Sequence, residues 1–139
     1  MLQAPTVLPI DSITGNEVVN IEGQRLGTIT SYGIDMERGC IAYAVLSVGG
    51  FMGFGDKWFA VPWDALQFSS HDRKFVLNVN KELLEEAPGF DKDNWPSSDN
   101  RQFGLQVYKY YGRVPYWEQD SPSGVTGYTK DSKNNERRN

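Results

Sequence analysis

The chain has 139 residues, of which 39% are hydrophobic and 13% aromatic, and it carries a formal charge of −4 with a pI near 4.9. That length suits one domain with its own core, since domains commonly hold roughly 100 to 150 residues. The acidic balance excludes a general DNA binder and a module held on anionic membrane surfaces.

The opening MLQAPTVLPIDS lacks the basic start and the apolar run of about 7 to 15 residues that a secretory signal needs. No later run approaches a transmembrane span. The expectation is a cytoplasmic protein with no membrane insertion. Periodicity and turn signals then predict six short strands, at 18–21, 26–34, 40–48, 58–63, 67–69 and 74–79, a spacing that favours a small, mainly β barrel. Glu22-Gly23 and Glu37-Arg38-Gly39 supply the first two turns, and Ser70-His71-Asp72-Arg73 is a polar hairpin connection.

The strand 40–48 breaks the alternation expected of a solvated wall, because Ile41, Ala42, Tyr43, Ala44, Val45, Leu46 and Val48 leave both faces largely apolar. The run 58–63 behaves alike. The outer side of this strand pair must therefore be covered by the C-terminal helices or by another copy of the chain, which motivates a homo-oligomer, with a dimer expected. Cys40, the single cysteine, begins the first of these strands. It can form no internal disulfide and reads as a small core hydrophobe in a reducing compartment.

Between the two strands lies Gly49-Gly50-Phe51-Met52-Gly53-Phe54-Gly55-Asp56-Lys57. A phosphate cradle would have to open a helix whose N–H groups meet the phosphate, whereas a strand follows here. The glycines suit a hairpin with Phe51 and Phe54 tucked over the barrel end. As the other reading, aromatics and Met on a glycine-hinged loop make interface anchors, so Phe51, Met52, Phe54 and the adjoining Trp58 are the candidate protein-contact residues.

After Val79 the pattern changes. Asn80 can cap a helix with Leu83, Leu84 and Ala87 on one face, stopped by Pro88-Gly89 and lying as a lid on the barrel. Asp91-Lys92-Asp93-Asn94 resembles the start of a calcium loop, but Trp95 and Pro96 fall where an oxygen ligand and a glycine belong, so a polar turn is expected. A second helix is predicted from about 98 to 111, where Phe103, Val107 and Tyr110 share a face, with Gly112 as its stop. From Gln119 onward the sequence is polar and poor in apolar residues, as in a disordered tail. The expected organisation is a barrel over 1–79, a helical extension packed on it over 80–118, and the tail over 119–139.

Chemistry-bearing residues are sparse. One His and one Cys cannot assemble an ordinary zinc site within one chain. His71 sits in a turn, and no Gly-x-Ser-x-Gly elbow accompanies it. Glu82, Glu85 and Glu86 read as a solvated helix face, without the facing pair of acids a glycosidase needs. Tyr108, Tyr110, Tyr111, Tyr116 and Trp117 could stack nucleic-acid bases, but only Lys109 and Arg113 lie among them, and packing explains the cluster better. No catalytic residue, metal ligand or cofactor site is assigned.

Several segments share a family pattern. They are Gly15 to Asn20, Gly23 through Leu26-Gly27-Thr28-Ile29, Ile34-Asp35, Ala44 to Phe51, and Ala60-Val61-Pro62-Trp63. Together these resemble the PRC-barrel family, named for the cytoplasmic domain of a photosynthetic reaction-centre protein and shared with the C-terminal domain of the ribosome maturation factor. Ala87 to Asp91, Trp95-Pro96, Tyr110-Tyr111-Gly112 and Pro115-Tyr116-Trp117 are similar to the extension of stand-alone bacterial members. The resemblance implies a docking or assembly module without a catalytic signature. A protein-interaction adaptor that self-associates and binds an unidentified protein is the expected function. An RNA-processing or ribosome-assembly accessory factor is the alternative, though RNA is not the expected partner.

Overall fold

The computed structural model describes residues 6–48 and 57–119. A short helix, α1 (Ile10–Ile13), precedes β1 (Glu17–Val19), β2 (Arg25–Asp35) and β3 (Cys40–Ser47). β4 (Lys57–Pro62) leads through a 3-10 turn into β5 (Leu66–Ser69) and β6 (Lys74–Leu77). α2 (Lys81–Glu85), β7 (Gly89–Asp91), α3 (Arg101–Tyr110) and a final 3-10 turn (Tyr116–Glu118) complete the described chain.

Local chemistry sets the boundaries. β1 stops at Val19 because Asn20 turns the chain: its buried side-chain oxygen accepts from the N–H groups of Glu22 and Gln24 at 3.1 and 2.9 Å, and its amide donates to Gln24 Oε1 at 2.8 Å. At the β2–β3 hairpin, Asp35 Oδ1 accepts from the N–H groups of Glu37 and Arg38, both at 2.9 Å. Asn80 caps α2 as expected, accepting from the Leu83 N–H at 2.7 Å.

The strands form one mixed sheet in the order β5-β6-β1-β2-β3-β4-β7. Neighbours are antiparallel except β1 and β6, which run parallel with Val18 opposite Phe75. The β5–β6 hairpin thus crosses back to lie beside β1. The sequence reading of six strands is corrected. β7 adds a seventh, pairing Trp58 with Phe90 and Phe59 with Gly89. No ladder among the described residues joins β5 to β7, so the sheet is open between these edges and the closed barrel expected from the sequence is not seen.

The physical reason for β7 lies at Gly89. A Cβ there would stand 2.6 Å from the Trp58 carbonyl oxygen, so only glycine lets this strand approach β4 so closely. Pro88 ends the helix, and its carbonyl accepts from the Ala60 N–H at 3.3 Å, starting the pairing that Gly89 continues.

The main core gathers Val18, Leu26, Ile29, Ala44, Leu46, Phe59, Val61, Phe75 and Leu77 from the sheet with Leu84 and Ala87 from α2 and the residues after it. Leu84 and Ala87 are buried, but Leu83 is 41% exposed, because successive residues of a helix point about 100° apart. α3 covers a second, smaller cluster on β3 and β4, built from Ala60, Val107 and Tyr108 with Tyr43, Phe103, Tyr116 and Trp117 around them. This cluster accounts for the two-sided apolar pattern: the outer side of the strand pair is covered by the chain's own helix. α3 begins at Arg101, later than the predicted start near 98, because Asn100 caps it, accepting from the Phe103 N–H at 3.2 Å.

Candidate protein-interaction surface

Of the four contact residues expected from the sequence, Phe51, Met52 and Phe54 lie outside the described residues. Trp58 is described, half-buried in β4 opposite Phe90 of β7. Its ring meets that of Trp95 edge-on, with centroids 6.1 Å apart and an interplanar angle of 89°. Trp95 also lies 4.8 Å from Phe90. From Phe90 the contacts continue inward through Phe103 to Tyr43, each step 5.8 Å. These spacings fall in the range where aromatic pairs attract through their quadrupoles.

The outer end of this row is accessible. Trp95 keeps 39% of its surface exposed, and Lys57 beside Trp58 is exposed as well. Among the described residues β7 is the terminal strand of the sheet on this side, and its outer backbone groups pair with no other described strand. A partly exposed Trp on a rigid aromatic base, next to a strand that ends the sheet among the described residues, has the chemistry to bind an extended segment by adding a strand and seating a side chain.

The sequence reading did not single out Phe90 or Trp95, which the fold places beside Trp58. The one signal available was Trp95-Pro96 standing in an otherwise polar run.

A second constellation surrounds Asp35. Its Oδ2 accepts from the Tyr116 hydroxyl at 2.6 Å and from the Arg38 guanidinium at 3.3 Å. Burial pushes this carboxyl up, but the Tyr116 hydroxyl, the N–H groups of Arg38 and Glu37 and the Arg38 side chain together hold it below the usual carboxylate value. Cys40 lies directly opposite Asp35 in the sheet. Burial, and then the Asp35 charge, push its thiol up, which disfavours the reactive thiolate. Tyr116 is pushed up in turn by burial and by its bond to Asp35.

The arrangement is an acceptor satisfied from all sides, with no free base beside a nucleophile. His71 is exposed in the β5–β6 turn, and among the described residues no group of three or more His, Cys, Asp or Glu side chains could hold a metal ion. No helix among them is long and apolar enough to cross a membrane.

A small, mainly β sheet domain with a covering C-terminal helix is the class these features define. The model of the PRC-barrel domain matches residues 5–84, more than half of the chain, and the protein belongs to the PRC-barrel domain family. No curated protein matches the chain.

Proposed function

We propose that the protein is a non-catalytic, cytoplasmic interaction module that docks an extended segment of a protein partner against Trp95, Trp58 and the edge of β7. The carrying observation is Trp95, which stays partly exposed while its ring is braced by Trp58 and Phe90 at the end of the sheet. A rigid aromatic anchor loses little conformational entropy on binding, the property that makes Trp prominent among interface hot spots. The membership in a family of docking domains agrees with this reading.

Self-association is part of the proposal, but its place moves. The β3–β4 outer face that first motivated it is occupied by α3, so a dimer would form through the β7 edge, each copy extending the other's sheet. Light scattering at micromolar concentration tests this, with a dimer expected; a strict monomer would remove self-association while leaving docking of another protein intact.

The docking reading is tested by capture from a lysate of the source organism at low and moderate salt, with bound protein and RNA identified. A protein retained at moderate salt is the expected result. Ribosomal protein with RNA, lost as salt rises, would replace this reading with RNA-linked assembly.

A further inference from the structure

Two short stretches of the chain match each other in length and chemistry. One is β7, which ends the sheet among the described residues. The Pro88 carbonyl accepts from the Ala60 N–H and so points toward β4. Backbone groups of successive strand residues alternate in direction, so those of Gly89 and Asp91 point away from β4. The Asp91 carbonyl accepts from the Asn94 N–H at 2.9 Å. The outer side of β7 therefore offers the N–H and carbonyl of Gly89 and the N–H of Asp91.

The other stretch is Thr6-Val7-Leu8, just before α1. Among the described residues, no backbone hydrogen bond engages any of the three. Val7 is 81% and Leu8 41% exposed, although both are apolar. Pro5 and Pro9 flank the stretch, and a residue that precedes proline is driven to extended backbone. Arg73, in the β5–β6 turn, donates from Nη2 to the Ser12 carbonyl of α1 at 3.0 Å. Four strands separate β6 from β7 in the sheet order, so the stretch stands at the opposite end of that order from its own β7.

We infer that residues 6–8 of one copy add as a further strand to β7 of a second copy, reciprocally, in a two-fold dimer. This rests on the reading of the β7 edge as a docking site and names its occupant. Run antiparallel, Leu8 lies opposite Gly89 and Thr6 opposite Asp91, so the residues that face the edge both carry an N–H. Val7 falls opposite Phe90 and on the same face, where the partly exposed Trp95 packs. The prolines are in the other phase. Backbone groups of Pro5, Val7 and Pro9 face away from β7, where a missing N–H breaks no ladder and blunts the new edge against a third copy.

The test is sedimentation equilibrium of the full chain, comparing wild type with Val7→Asp, Leu8→Pro and Trp95→Ala. Denaturant midpoints are recorded where all are monomeric. Wild type is expected to dimerise, and each variant to weaken the dimer about tenfold or more. The midpoints of Val7→Asp and Leu8→Pro are expected to stay near wild type, since neither residue is buried. A wild-type monomer overturns the inference and leaves docking of another protein on Trp95 standing. A dimer weakened by Trp95→Ala but not by the two segment variants also overturns it, while keeping the β7 edge as the interface. A dimer weakened by the segment variants alone places residues 6–8 elsewhere and overturns it together with self-association at β7.

Discussion

At Gly89 the absence of a side chain is a structural requirement. A Cβ would meet backbone, not a movable side chain, at 2.6 Å, so Gly89→Ala must push β7 off β4 and disturb Phe90. A loss of roughly 1 to 3 kcal/mol is expected from such overpacking, read as a lower denaturant midpoint. The ionisable residues give a signed pH dependence. Asp35 has its folded pKa held below the ordinary 3.8, so its contribution is present above about pH 4 and is lost as pH falls through the depressed folded value. Acid titration of the unfolding midpoint should show that loss in wild type and a flatter profile below about pH 4 in Asp35→Asn. The tyrosines act at the other end. Tyr108, Tyr111 and Tyr116 are all pushed up, chiefly by burial, so their contribution is intact below about pH 10 and is lost as pH rises beyond it. Alkaline unfolding beginning above that pH is the expected observation.

Among the elements, α2 and α3 play different parts. α2 closes the main core through Leu84, which is fully buried; Leu84→Ala should cost about 2 to 5 kcal/mol, while Asn80→Ala, which removes only the cap, should cost about 1 kcal/mol. Chemical denaturation of the two variants checks the ranking, and equal losses would contradict it. α3 meets the sheet through Val107 and Tyr108, whose hydroxyl donates to the Ala42 carbonyl. What could be read from the sequence follows the same division. The long strands and the Asn80 cap were legible because period and capping chemistry repeat over enough residues to be recognised. β7 was not, since three residues carry no period and its cause is the contact between Gly89 and Trp58, distant in sequence. The parallel pairing of β1 with β6 was equally hidden, because Val18 and Phe75 are brought together only by the whole sheet.

Over the whole molecule, two apolar surfaces of the sheet are treated differently. The face of β3 and β4 that looked unpartnered in sequence is covered by α3, whereas on the other side β7 ends the sheet among the described residues, with the partly exposed Trp95 packed on Phe90 and Trp58. The candidate surface was therefore only partly legible: Trp58 was singled out as a neighbour of the 49–57 loop, but its edge-on contact with Trp95 and its pairing with Phe90 across the strands required the fold. The most direct measurement is the affinity of the full chain and of Trp95→Ala for the protein retained in capture, with denaturation midpoints recorded in parallel. The account predicts that Trp95→Ala weakens binding by more than about 1 kcal/mol while stability falls by less, as for an interface anchor. Unchanged affinity, or a loss matched by destabilisation, would contradict it and return Trp95 to the packing of the sheet edge.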